Sequence, residues 1–251
     1  MNAFPQTLKA WRKARRFSQL ELAMEADVST RHLSFLETGR ARPSPDMIGR
    51  LGDALQLPLA ARNEMLTVAG FAAQYPAREW DAQAMAPVRA AVEHTLTAHS
   101  PYPAVAFDRL WRMVRMNRPA ERLFGPLQIG EGDSLLDLLI SDALPPLIEN
   151  WPEVARHAAR RLRTESAAQG GVPELDRVAD VLARVPGAGQ DDFGPVVPTI
   201  YRAGPLRLSL FATIAQFGTP EDLTLDDLKI EMYFPADEET EQALRAMAVA
   251  D

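Results

Sequence analysis

The 251-residue sequence contains no cysteine, which excludes disulfides and thiolate metal sites. Histidine is scarce: His32, His94, His99 and His157 are all there are. His94 and His99 are five apart, not the four that sets two ligands on one helix face, so no metal site is expected. No stretch approaches the ~20 apolar residues of a membrane span. The opening residues, MNAFPQTLKAWRKARR, hold no apolar run suited to a signal peptide. A soluble, cytoplasmic protein with no membrane partner is the expectation. G-x-S-x-G, H-E-x-x-H and the phosphate-binding P-loop are also missing. GEGDS at 130–134 is too short to cradle a phosphate and reads as a turn. No catalytic residue is expected, and no cofactor is required.

Nearly half of the residues are apolar (47%), enough for a substantial core. The net charge is −7, but it is unevenly spread. Residues 1–70 hold ten Lys/Arg against seven Asp/Glu, and residues 71–251 hold seventeen against twenty-seven. The first part is therefore net basic and the second strongly acidic. A polyanionic partner could settle on the first part alone.

That basic part contains SQLELAMEADVSTRHLSFLETGRARP, Ser18–Pro43. Ser18 can cap a helix, and Glu21 three residues later completes a capping box. Leu22 and Ala23 face inward, with the small Ala23 allowing a close helix crossing. Val28 fills the corner and Ser29 can cap a second helix. Leu33 and Leu36, three apart, share its buried face, while Thr30, Arg31, Ser34 and Phe35 lie opposite. Gly39 supplies the stop, because glycine enters the left-handed region without steric cost. The pattern is two short helices around a tight turn, a helix-turn-helix, with double-stranded DNA as the first candidate partner. Flanking helices are expected over 5–16, 45–56 and 59–68, which completes a five-helix bundle by about residue 70.

The stretch resembles the Xre/Cro family of phage-repressor-type DNA-binding domains. Its pattern is matched at Ser18, Leu22, Ala23, Val28, Ser29, Leu33, Ser34, Glu37, Gly39 and Pro43. One departure is Asp27, where the family has a turn glycine; Asp enters the left-handed region more readily than most residues. The resemblance implies base contacts from Thr30, Arg31, Ser34 and Phe35. It implies phosphate contacts from Gln19, Arg40 and Arg42, and a structural ion pair between Arg12 and Glu37.

Beyond residue 70 the text changes. Residues 71–100 read as a linker and a connecting helix over 87–98, followed by a domain over 101–251. PYPAVAFDRLWRMVRMN (101–117) reads as two strands around an Asp108–Arg109 turn, with Asn117 capping a helix. Helices are expected at 134–140, 153–168 and 174–184. LRLSLFATI (206–214) and LKIEMYF (228–234) alternate with period two, as half-buried strands do. In the second, Leu228, Ile230, Met232 and Phe234 form one face and Lys229, Glu231 and Tyr233 the other. An antiparallel hairpin and a closing helix over 237–249 follow. The fold class expected is two domains: the all-α bundle, then an α+β, PAS-like domain with a small antiparallel sheet. The Gly/Pro-rich PGAGQDDFGPVVP (186–198) reads as a flap.

PYPAVAFDRLWRMVRMNRPAERLFG (101–125), WPEVARHAARRLRTES (151–166) and SLFATIAQFGTPEDLTLDDLKIEMYFPAD (209–237) resemble the ligand-binding domain of MmyB-like transcription regulators, over roughly 87–240. The resemblance implies a PAS-like interior able to hold a small apolar molecule, such as a fatty-acid-like acyl chain. Candidate linings are Phe107, Trp111, Met113, Met116, Phe124, Trp151, Phe211 and Met232; each could equally be filled core. The reading is a ligand-responsive regulator that binds a pseudo-palindromic operator as a homodimer. Two alternatives stay open: a constitutive regulator whose second domain only dimerises, and an enzyme carrying a DNA-binding domain.

Overall fold

A computed structural model describes residues 3–187 and 196–249; residues 188–195 of the expected flap lie outside them. The described residues form two compact units. The first joins the chain up to Arg78 with Ser166–Val172 and Pro220–Asp226. The second holds Glu79–Glu165, Pro173–Thr219 and the chain from Asp227 onward.

The first unit is built on α1 (Phe4–Ala14), α2 (Gln19–Glu25), α3 (Thr30–Glu37), α4 (Pro45–Ala54) and α5 (Leu59–Val68). Phe4, Leu8, Leu22, Leu33, Leu36 and Leu51 are fully buried at its centre, each contributing roughly 1.5–3 kcal/mol by leaving water. Local chemistry fixes the helix ends. The Ser18 hydroxyl accepts the Glu21 amide at 3.1 Å, and the Glu21 carboxylate accepts the Ser18 amide at 2.7 Å. At the other end of α2, Asp27 sits at φ 50°, inside the left-handed region. The Val28 amide reaches back to the Ala23 carbonyl at 2.9 Å and the Asp27 amide to Met24 at 3.3 Å. This is the Schellman stop, and an aspartate makes it where glycine would be easier. Gly39 closes α3 in the same way, at φ 74°, with the Arg40 amide on the Phe35 carbonyl at 2.9 Å.

The second unit begins with α6 (Ala86–Ala98), β1 (Ala104–Phe107), β2 (Met113–Met116), α7 (Arg118–Phe124) and α8 (Leu135–Leu139). The long α9 (Trp151–Ala168) and α10 (Pro173–Leu182) follow, then β3 (Thr199–Ala203), β4 (Leu206–Gln216), a single turn α11 (Leu223–Asp226), β5 (Lys229–Pro235) and α12 (Glu238–Val249). The strands make an antiparallel sheet in the order β2-β1-β5-β4-β3. This is an α+β arrangement with a small antiparallel sheet, as expected. β3 had no counterpart in the sequence reading, because TIYRA is short and abuts the Gly/Pro-rich stretch.

Strand parity divides the sheet. Ala104, Ala106, Ile230 and Met232 face α6 and pack with Val92 and Leu96. The register pairs Ile214 with Glu231 and Ala212 with Tyr233, so these four side chains share the opposite face.

The αL turn at Asp27 is the fold feature most open to test. Asp27→Gly removes the left-handed penalty but adds chain entropy, two effects of about 1 kcal/mol each; stability should move by under ~0.5 kcal/mol. Asp27→Val should lower it by about 1–2 kcal/mol. Thermal unfolding of the two variants checks the difference.

Candidate functional site

The first candidate surface is the start of α3. The Ser29 hydroxyl accepts the His32 amide at 3.1 Å and so fixes where the helix begins. Thr30 and Arg31 are then exposed in its first turn, with Ser34 and Phe35 half-buried one turn later. The Arg31 and Arg40 guanidiniums both lie over the Phe35 ring, 5.3 and 6.0 Å from its centroid. Phe35 thereby gathers a cation from α3 and another from the loop after it. Arg42 is exposed in that loop.

Beneath this surface, Arg12 grips Glu37 through Nε (2.6 Å to Oε1) and Nη2 (3.0 Å to Oε2). The third nitrogen, Nη1, donates to the Phe17 carbonyl at 2.8 Å. Gln19 donates its side-chain amide to Glu37 Oε2 at 2.7 Å, so one of its two amide hydrogens is committed within the protein. Burial works to raise the Glu37 carboxyl, but the bonds from Arg12 and Gln19 outweigh it and hold it below its ordinary 4.5.

The second candidate is a cavity of about 330 Å³ in the second unit, within the range of small-molecule sites. Its walls are Leu135, Leu138, Leu139 and Leu144 of the α8 region, Val154 and Ala158 of α9, and Leu210 and Phe211 of β4. The exposed rim includes Val196, His157 and Ile214. At the buried end lies a polar cluster. Arg161 donates Nη1 and Nη2 to the two oxygens of Glu231 (3.1 and 3.0 Å) and Nε to Glu165 at 3.0 Å. Lys229 Nζ stands 2.7 Å from Glu165, and the Trp111 indole donates to Glu165 at 3.0 Å. The Trp111 ring also carries the Arg161 guanidinium, 4.3 Å from its centroid.

Charge in this cluster is stabilised from within. Burial opposes the Arg161 charge, but Glu231 and Glu165 outweigh it and keep the guanidinium protonated. Burial also opposes ionised Glu165, while Lys229 and then Arg161 hold it below the ordinary carboxyl range. Tyr201 and Tyr233 line the same end; burial and then the Glu231 charge push both phenols up, so they remain hydrogen-bond donors. Trp111 is held at φ 58°, a strained conformation for a bulky residue. The Asp108 carboxylate enforces it by accepting the Leu110 and Arg112 amides at 2.8 and 2.9 Å.

Comparison with known families places this geometry. The model of the MmyB-like transcription regulator ligand binding domain matches residues 88–247. The chain belongs to that family. A helix-turn-helix model matches residues 8–61. Together they make the chain a ligand-responsive DNA-binding transcriptional regulator; both are regulator domains rather than enzyme families. No curated protein matches the chain. Among solved structures, the PAS domain of Bordetella pertussis BvgS is similar at 13% identity, covering 64% of this chain and 97% of that one, with a TM-score of 0.30. An RNA-binding Light-Oxygen-Voltage receptor is similar at 14% identity, covering 100% of this chain and 64% of that one, with a TM-score of 0.29. Among the described residues, no helix is long and apolar enough to cross a membrane, and no group of three or more His, Cys, Asp or Glu could hold a metal.

Within the MmyB-like domain, Trp111, Phe124 and Phe211 line the cavity, and the other five candidates do not. Met232 points to α6 because its parity is that of Ile230. Phe107 and Met113 are 0% and 2% exposed, filled core, with the Phe107 ring 5.3 Å from that of Trp111. Met116 ends β2, at the sheet edge away from the β5, β4 and β3 strands that shape the cavity. Trp151 lies in the first turn of α9, before the lining stripe begins at Val154. Arg161, Glu231, Tyr201 and Tyr233 were missed. The period of β5 put Glu231 and Tyr233 on a face read as solvent, although that face is the cavity. A usable signal was present: Val154, Ala158, Arg161 and Glu165 fall at helical spacing, so two charges continue an apolar stripe.

Glu37 carries a testable consequence for the helical domain. Glu37→Ala leaves Arg12 buried without its partner and should cost about 3 kcal/mol in urea unfolding. Because folding lowers the Glu37 pKa, its contribution is fully present above pH 4.5 and is lost as pH falls through the depressed value. Glu37→Gln should remove that part of the acid sensitivity, read as a shallower loss of stability as pH falls below 4.5.

Proposed function

We propose that this regulator binds a pseudo-palindromic operator as a homodimer, and that an apolar small molecule in the cavity biases its DNA-bound arrangement. The cavity carries the reading: its walls are mostly leucine, valine and aromatic, and its rim exposes Val196 and Ile214. Such a lining fits an acyl-like or other apolar body. To change transcription, the ligand must favour one arrangement of the protein over another. Native mass spectrometry of purified protein, followed by thermal-shift screening of apolar metabolites, tests this. No co-purified molecule and no stabilising compound would leave the second domain with dimerisation alone.

On the DNA side, Thr30 and Arg31 read base edges in the major groove, with Ser34 and Phe35 a turn behind. Arg31 can make a two-point contact with guanine, worth about 1–3 kcal/mol of discrimination. Gln19, Arg40 and Arg42 hold phosphates, Gln19 through the amide hydrogen not given to Glu37. Arg31→Ala should therefore relax operator selection at one position in each half-site, measured by binding-site selection from a random pool. Arg40→Ala and Arg42→Ala should weaken all sequences alike. Each should reduce the slope of log affinity against log salt by about 0.9. Altered base preference at constant salt slope would reverse the two assignments.

A further inference from the structure

The buried end of the cavity constrains which apolar molecule fits, and this argument rests on the apolar-ligand reading above. Arg161 and Lys229 supply two positive charges there, and Glu165 and Glu231 supply two negative ones. The set is balanced. Both Glu231 oxygens are held by Arg161, and both Glu165 oxygens are engaged by Arg161, Lys229 and Trp111. A carboxylate brought to this end would be a third negative group facing Glu231, and an ammonium would be a third positive group beside Arg161. A carboxylate could still accept hydrogen bonds here, but neither ion would find an opposite charge left unmatched to offset its desolvation among apolar walls. Neutral hydrogen bonding meets no such penalty. Tyr201 and Tyr233 line the cavity close enough for both phenols to feel the Glu231 charge, and three of the five guanidinium hydrogens of Arg161 suffice for its two carboxylates.

We propose that the cavity selects an amphiphile with an uncharged, hydrogen-bonding head, such as an alcohol, ester, lactone or amide, over a carboxylate or amine of the same chain. Tyr201, Tyr233 and Arg161 would meet the head, and the leucine-lined wall the chain. Isothermal titration of the full-length protein with 1-dodecanol, dodecanoate and dodecylamine, each below its aggregation threshold, tests this. 1-Dodecanol should bind at least tenfold more tightly than either charged analogue. Glu231→Gln removes one negative charge and should improve dodecanoate at least tenfold relative to 1-dodecanol. Should that variant fail to fold, Tyr201→Phe and Tyr233→Phe keep the shape, and each should weaken 1-dodecanol about fivefold, the effect of one lost hydrogen bond. Dodecanoate binding as tightly as 1-dodecanol, or no loss in either tyrosine variant, overturns the head-group inference and leaves the apolar-ligand reading standing. Binding by none of the three overturns both.

Discussion

Arg161 reaches from α9 across to Glu231 on β5, and the cavity domain depends on that bond. It closes α9 over the sheet while keeping the two elements a guanidinium apart. The room beside it is the cavity. With apolar residues at both positions, the helix and strand could pack directly and the space would fill. The cost is the desolvation of four charged groups, and the network recovers it only by satisfying nearly all of them at once. The strained Trp111 belongs to the same economy of contacts. Its indole occupies Glu165, and its ring lies flat under Arg161, two interactions that a relaxed backbone at 111 would not deliver together.

The helical domain uses a comparable device with a different outcome. Glu37 gathers Arg12 from α1 and Gln19 from α2 onto the end of α3. Three helices meet at one carboxylate, in a unit whose core holds the fully buried Leu8, Leu33 and Leu36. The consequence is a rigid placement of α3, whose exposed first turn carries Thr30 and Arg31. Phe35 extends that rigidity outward by stacking both Arg31 and Arg40. A planar ring limits where two flexible cations can go without hydrogen-bonding either, so their hydrogen-bond donors stay directed outward.

Much of this was legible in the residues, and the failures have a common cause. Ser18, Glu21, Ser29 and Gly39 act locally, through bonds that span three to five positions, so their roles follow from spacing. Asp27 could be read too, because the turn demands positive φ whatever residue stands there. The cavity is different. Its lining comes from segments more than a hundred residues apart, such as Trp111 and Tyr233, and no local pattern links them. Period two in β5 correctly separated Met232 from Glu231, yet it could not say which face was solvent. The rule that polar residues face water chose wrongly, since a buried polar cluster has the same one-dimensional signature as a wet surface. β3 was missed for a related reason: a short strand gains its stability from β4 beside it, not from its own sequence.

The distribution of charge sets the two parts of the chain apart. The basic excess lies within residues 1–70 and the acidic excess beyond them, so phosphate is attracted to one part of the chain and repelled by the rest. The cavity end, by contrast, is locally neutral. Charge in this protein therefore acts over distance in the basic part and only at contact range inside the cavity. Salt screens the first strongly, because its partner is reached through water, and the second weakly, because its pairs are buried. Under the function proposed above, ionic strength tunes how firmly the basic part holds DNA while the charge pairs lining the cavity are little changed.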